Sequence, residues 1–294
     1  MNTARAHAAF SVDVEDWFHV ENLKRAIARD SWDRLELRVE RNVERILELM
    51  AEYGAHGTWF VLGWVAERLP AMVRSIAAAG HEIGSHGFDH EGVNTLSAEQ
   101  FRADVRRSKI LLEDILGVEV IGYRAPCFSI TDWSIDVLRE VGFRYDSSAF
   151  PIIAHDRYGK LRGVSAGGNP IPEIRPGFHE VCVSSVPLCG YGLPWGGGGY
   201  FRLLPYRLFR VGVRRLLASG RPYVFYIHPW EFDPHQPRVA GLRRGHAFRH
   251  YLNLDRVEAR VTALLVDFRW TTIRNLLESR EIETRQAATQ SITQ

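Results

Sequence analysis

Between residues 8 and 147 the sequence switches back and forth between two periodicities. Ala8–Val14 is a short apolar run. Residues 38–53 then carry Val39, Val43, Ile46, Leu47 and Met50 at helical spacing and stop at Gly54. The β-rich run from Gly57 to Leu62 precedes a helical stretch to Ala79 that is interrupted at Pro70. A short apolar piece from His81 to Gly84 precedes a helix that Ser97 and Gln100 open as a capping box and Gly117 closes. Val118–Tyr123, Asp132–Val141 and Phe143–Ser147 continue as strand, helix and strand. Adjacent parallel strands can be joined only by a crossover, and a helix is the compact one, so this alternation predicts parallel βαβ units.

Beyond Phe150 the pattern loosens. Residues 163–176 and 188–200 are rich in Gly and Pro, with four glycines in a row at 196–199, and read as long loops. Regularity returns with a helix over 205–218, a strand over 223–227, a helix over 255–265 and an apolar stretch over 268–273. No internal repeat is present. The 294 residues are expected to form one barrel-like α/β domain, with a polar, frayed tail over 281–294.

With 46% apolar and 24% charged residues the chain has the composition of an ordinary globular protein. A formal charge of +2 gives no reason to expect nucleic acid as a partner. Residues 1–9 lack the apolar run of a signal peptide, and no window has the roughly 18 apolar residues of a membrane helix. The expectation is therefore a cytoplasmic protein with no transmembrane segment. Cys127, Cys182 and Cys189 are odd in number and lack C-x-x-C spacing, which argues against a disulfide framework.

In parallel α/β folds reactive side chains collect at the C-terminal ends of the strands. Those ends hold Asp13-Val14-Glu15-Asp16, then Ser85-His86-Gly87-Phe88-Asp89-His90, then Arg124-Ala125-Pro126-Cys127, and finally His228-Pro229-Trp230. The spacing of His86 and His90 would put both imidazoles on one face of a helical turn, within reach of one metal. With 12 histidines the spacing alone is weak, and His246/His250 repeats it in an Arg-rich stretch that reads as a solvated basic patch. The first pair differs in following a strand and facing an acid cluster. Two imidazoles and one carboxylate leave a coordination position open, the arrangement of a catalytic metal. The acid cluster supplies one carboxylate for the metal and one for a base. Asp13, at the end of a buried strand, needs a partner, and Arg124 can hold it bidentately. His228 is placed to be a proton donor.

Taken in order, Asp13 with a nearby acid, His86-x-x-x-His90, Arg124-x-Pro126 and Ile227-His228 resemble the NodB-homology polysaccharide deacetylases, carbohydrate esterase family 4. Asp13-Val14-Glu15-Asp16-Trp17, Tyr145-Asp146-Ser147-Ser148, Gly197–Arg202 and His228-Pro229-Trp230-Glu231 with Arg249-His250-Tyr251 resemble the branch found beside exosortase and exopolysaccharide loci. The resemblance implies a distorted, seven-stranded (β/α) barrel with long loops, forming one domain over 1–280. Its catalytic core would span about 8–230 and its C-terminal extension 231–280. It implies a divalent metal, usually zinc, held by His86, His90 and either Glu15 or Asp16. Asp13 would be the base, Arg124 its orienting partner and His228 the acid. A backbone N–H just after Pro126, that of Cys127, would help hold the oxyanion. The aspartate that supports the arginine in the family has no clear counterpart; Asp132 and Asp146 are the candidates. Trp195, Tyr200, Arg202, Trp230 and Glu231 are candidate sugar contacts. The implied substrate is an acetylated oligo- or polysaccharide, in particular a nascent or lipid-linked exopolysaccharide precursor, with membrane-associated assembly proteins as partners. Two rival readings are an amide or ureide hydrolase on the same fold and a non-catalytic carbohydrate-binding protein.

Overall fold

The computed structural model describes residues 8–152, 158–189, 191–280 and 282. Apart from residue 282, the tail expected over 281–294 lies outside them. Ten strands are present: β1 (Ala8–Val14), β2 (Gly57–Val61), β3 (Glu82–Ser85), β4 (Gly122–Tyr123), β5 (Tyr145–Asp146), β6 (Glu173–Arg175), β7 (Phe178–Glu180), β8 (Ser185–Leu188), β9 (Tyr191–Pro194) and β10 (Tyr223–Ile227). Eight of them make one sheet in the order β10-β1-β2-β3-β4-β5-β7-β6. The first seven in that order run parallel and β6 is antiparallel at the edge. This is the distorted, seven-stranded (β/α) barrel.

The helices include α1 (Val39–Glu52), α2 (Gly63–Arg68), α3 (Pro70–Ala78), α4 (Ala98–Leu116), α5 (Asp132–Val141), α6 (Gly198–Leu203), α7 (Tyr206–Ala218), α8 (Arg244–Tyr251) and α9 (Val257–Asp267), and residues 273–280 are helical as well. Every residue of β1, β2 and β10 is buried, as expected for parallel strands covered on both faces. Helix α1 turns Val39, Val43, Ile46, Leu49 and Met50 inward, while Leu47 sits at the edge of that stripe. Both halves of the capping box of α4 form, with Gly117 left-handed at its end.

Irregular backbone closes the barrel. After β7, Val181 N–H donates to Asp146 O (2.7 Å), Val183 N–H to Ala149 O (2.9 Å) and Ser184 N–H to Val224 O of β10 (3.4 Å). Tyr226 N–H then donates to Gly196 O at 2.8 Å. Gly197, with φ 141°, lies against the Tyr226 carbonyl, where a Cβ would collide. Only glycine fits there, which gives the four-glycine run a structural duty.

Three segments expected to be loops are ordered. The stretch from 188 to 200 contains most of the β8–β9 hairpin and the start of α6, β6 falls within 163–176, and the Arg-rich stretch around His246 is α8. Glycine and proline marked the turns of these short elements but hid the pairing between them. The strand expected over 118–123 is regular only at Gly122–Tyr123.

Candidate active site

The C-terminal ends of β1, β3, β4 and β10 open into one cavity of about 310 Å³. Asp13, Glu15, His86, His90, Cys127, Tyr200, Arg202, His228, Trp230 and Glu231 all line it, together with the backbone next to Arg124. Glu15, His86 and His90 form a buried group whose ligand atoms all lie within 4.8 Å of one another. Glu15 Oε1 is 3.0 Å from His86 Nε2 and 2.8 Å from His90 Nε2.

The imidazoles are not on a helical turn. His86 follows the last residue of β3, and His90 lies in a loop with φ 57°. Asp104 of α4 shapes that loop by accepting from Phe88 N–H (2.9 Å) and Asp89 N–H (3.1 Å). The loop in turn caps α2, since Gly63 N–H donates to Gly87 O at 2.8 Å and Trp64 N–H to Phe88 O at 3.1 Å.

Of the two candidate acids, Glu15 is the one brought to the histidines. The Asp16 carboxylate accepts from Trp17 N–H (2.8 Å), Arg38 N–H (2.7 Å) and Val39 N–H (2.9 Å). It caps the start of α1, and burial lifts its pKa to about 6 despite those three donors.

The donor set fits a divalent cation. His86 Nδ1 is 2.8 Å from the Arg124 carbonyl, to which it can only donate. A neutral His86 therefore turns a bare Nε2 lone pair toward the Glu15 carboxylate, and two acceptors at that distance call for a cation between them. Burial opposes the charge of Glu15, but His90, His228 and His86 outweigh it and hold its pKa well below the usual carboxylate range.

Beside this group lies a second set. Arg124, fully buried, gives Asp13 Oδ1 a single bond from Nη1 at 2.7 Å, not the expected two-pronged grip. Its remaining donors go to Ser11 Oγ (2.7 Å), Ser147 O (2.8 Å) and Ser147 Oγ (2.8 Å). The second oxygen of Asp13 is thus left facing the cavity, 3.9 Å from His228 Nε2. Asp132 plays no part here, since it binds Arg162 on the surface.

Asp146 supports Arg124 indirectly. Its Oδ1 accepts from Ser148 Oγ (2.5 Å), and that hydroxyl accepts from Ala125 N–H (2.7 Å). Glu180 Oε1 accepts from Ser148 N–H (3.1 Å) and Ala149 N–H (2.8 Å). Both carboxyls are fully buried, and Asp146 Oδ2 and Glu180 Oε2 have no partner other than each other. Burial raises the pKa of both acids, Glu180 well above its ordinary value with Asp146 adding to the effect. One shared proton resolves the pair.

Because the fold holds this proton more tightly than the unfolded chain does, its stabilisation is complete below the ordinary carboxyl range. It fades as pH rises through the raised value. As pH rises above the ordinary carboxyl range, the melting temperature of the wild type should therefore fall relative to Glu180→Gln, whose amide makes the same bond with no proton to lose. Parallel curves in differential scanning fluorimetry would refute the shared proton.

Opposite Asp13, His228 Nε2 is 4.0 Å from Glu15 Oε1, and its Nδ1 is 2.8 Å from Glu231 Oε1. Burial works against a charged His228, yet Glu15, Glu231 and Asp13 prevail and raise its pKa to about 9. The other Glu231 oxygen accepts from Arg202 Nε at 2.6 Å. The Arg202 guanidinium also donates to the carbonyls of His250 and Leu252 (2.9 Å each) and of Arg249 (3.1 Å). Trp230 stacks between the rings of His228 (5.3 Å) and His250 (4.6 Å). His250 is buried and donates to Gln236 Oε1 at 2.8 Å. The His246/His250 pair is therefore not a solvated patch, because His250 is buried behind Trp230 and only His246 lies near the surface.

Trp195 and Pro126 are the candidate contacts that the cavity does not include. The indole of Trp195 donates to Phe209 O (2.8 Å) and packs so tightly on α7 that Gly212 has no room for a Cβ. Pro126 is buried under the backbone turn that presents Cys127. Ser11, Ser147, Glu180 and Asp104 escaped the sequence reading. The serine run at the end of β5 was a usable signal for Ser147, whereas nothing local marks Glu180.

The family model described as polysaccharide deacetylase matches residues 30–145, and a second, a domain of unknown function named DUF3473, matches residues 147–278. Over 109 residues the chain is 33% identical to a peptidoglycan deacetylase of Helicobacter pylori, covering 37% of each protein. Over 100 residues it is 29% identical to a peptidoglycan-N-acetylglucosamine deacetylase of Bacillus cereus, covering 34% of this chain and 46% of that one. The matching segment thus spans less than half the length of these two relatives. A structure from Mycobacterium smegmatis assigned to the polysaccharide deacetylases shares the fold, with a TM-score of 0.56 at 24% identity, over 94% of this chain and 90% of that one. Residues 30–145 thus match the polysaccharide deacetylase family and residues 147–278 match DUF3473, on a fold shared with that solved structure.

Proposed function

We propose that the protein is a metal-dependent deacetylase that removes the acetyl group from an acetamido sugar of a bacterial exopolysaccharide or its precursor. The observation that carries this is one cavity holding Glu15, His86 and His90 with Asp13 on one side and His228 on the other. The matched deacetylase segment ends before residue 147, so His228, Glu231 and Arg202 come from the DUF3473 half. One sheet runs through both halves, which supports reading residues 1–280 as a single catalytic domain with 231–280 as its extension.

Glu15, His86 and His90 would hold the ion, and nitrogen–oxygen coordination of this kind suits zinc. When bound, such an ion lowers the pKa of a water and polarises a carbonyl. The rest falls to the chain. Asp13 Oδ2, the oxygen that Arg124 leaves free, takes the proton from the attacking water. As the C–N bond breaks, His228 Nε2 gives its proton to the sugar nitrogen, so that acetate and a free amine leave. An ion sharing the charge of Glu15 would lower the pKa of His228, and Glu231, anchored by Arg202, keeps the ring protonated and oriented. The backbone N–H of Cys127, just after Pro126, supports the developing oxyanion. Tyr200 offers a face on which a pyranose ring can pack, while Trp230, stacked between His228 and His250, holds the acid in place.

Metal content and acetate release from N-acetylglucosamine oligomers, measured together, test this reading. About one equivalent of divalent metal is expected. His86→Ala should lose the metal and the acetate release alike. Metal without acetate release would shift the substrate to another acylated sugar or a ureide. A protein that takes up no metal on reconstitution, yet binds oligosaccharide, would be a carbohydrate-binding module.

A further inference from the structure

One lip of the cavity differs in character from the rest of the surface. From residue 195 to residue 254 the sequence contains ten arginines and two acids, Glu231 and Asp233. Both acids are buried, Glu231 against Arg202 and Asp233 against Arg38 and Arg41. Within the stretch no exposed acid balances the basic side chains; from outside it, Asp267 pairs with Arg210 and Arg214. Arg238, Arg243, Arg244 and Arg249 are exposed and have no acidic partner among the described residues. Among them stands Phe248, 59% exposed, and across the cavity mouth Leu203, 52% exposed. Phe248, Arg249 and Leu203 all line the cavity, so the patch is continuous with the entrance to the site. Glu21 also lines the cavity.

We propose that this lip docks the protein on the surface of an anionic lipid bilayer and so turns the catalytic cavity toward the membrane. Unpaired arginines flanking protruding aromatic and aliphatic side chains form the pattern of an interfacial contact. The cations face lipid phosphates, and Phe248 and Leu203 enter the region between head groups and acyl chains. No helix among the described residues is long and apolar enough to cross a membrane, so the contact is peripheral. A sugar carried on a lipid would then reach Glu15, His86 and His90 without leaving the bilayer surface.

The test is co-sedimentation of the full chain with vesicles of phosphatidylcholine alone or mixed with phosphatidylglycerol. Partition into the mixed vesicles, weakened by salt, is the expected result. Arg243→Glu with Arg244→Glu should lower that partition by about tenfold or more, since each basic residue near an anionic surface contributes several-fold. These two positions begin α8, where acidic side chains suit the helix dipole, so the variant should fold. It should also release acetate from a soluble oligosaccharide as the wild type does, which separates this proposal from the catalytic one. Phe248→Ala should weaken binding without changing its salt dependence. Equal partition of wild type and the double variant would overturn the proposal. So would binding to a soluble anionic polysaccharide with no partition into vesicles.

Discussion

Asp13→Asn is expected to lower kcat for acetate release by about a hundredfold to ten-thousandfold while leaving the metal content unchanged. The amide has the shape of the carboxylate, and its oxygen can still accept from Arg124 Nη1, which sits 2.7 Å away in the wild type. What it cannot do is take a proton on the atom that faces His228. Binding of substrate through Tyr200 should persist, so the loss should fall on kcat and leave KM close to the wild-type value. Metal analysis and steady-state kinetics on the same preparation check both halves. A variant with near-normal turnover would remove Asp13 as the base.

Arg124→Met should destabilise the fold by about 3–5 kcal/mol, because it breaks a buried ion pair on one side only. The guanidinium is fully buried beside the equally buried Asp13. It also donates to Ser11 Oγ, Ser147 O and Ser147 Oγ, so a thioether strands the Asp13 charge and removes one bond from each of these three atoms, although both hydroxyls still donate to Phe225 O and Val181 O. Urea denaturation should show a lower midpoint with an unchanged slope. Arg124→Lys keeps the charge but not the fork and should fall between the two. A stability within about 1 kcal/mol of the wild type would mean that water reaches this pair. Asp13→Asn with Arg124→Met, which removes the stranded charge, should be less destabilised than the sum of the single variants.

Much of the site was legible from the ends of strands. An apolar run that finishes in an acid, a histidine or an arginine says where that side chain must go, because all parallel strands end on the same rim. Asp13, His86, Arg124 and His228 were found in this way, and periodicity alone was enough for β1, α1, α4 and β10. Short elements were a different matter. The β8–β9 hairpin and α8 have too few residues for a period to show, and their glycines and arginines suggested loops and solvent.

What the sequence determined by itself was the alternation that makes a parallel barrel and the chemistry carried to its rim. Tertiary structure decided which of two neighbouring acids meets the histidines. At the end of β1 Glu15 turns to the cavity, while Asp16 is taken by the backbone N–H groups of Arg38 and Val39, more than twenty residues away. It also paired Glu180 with Asp146, brought Arg202 and Glu231 behind His228, and buried His250 behind Trp230. Each of these contacts joins residues that have no local relation in the chain. Their cause is the burial of a polar group, which obliges it to find whatever partner the fold brings within reach.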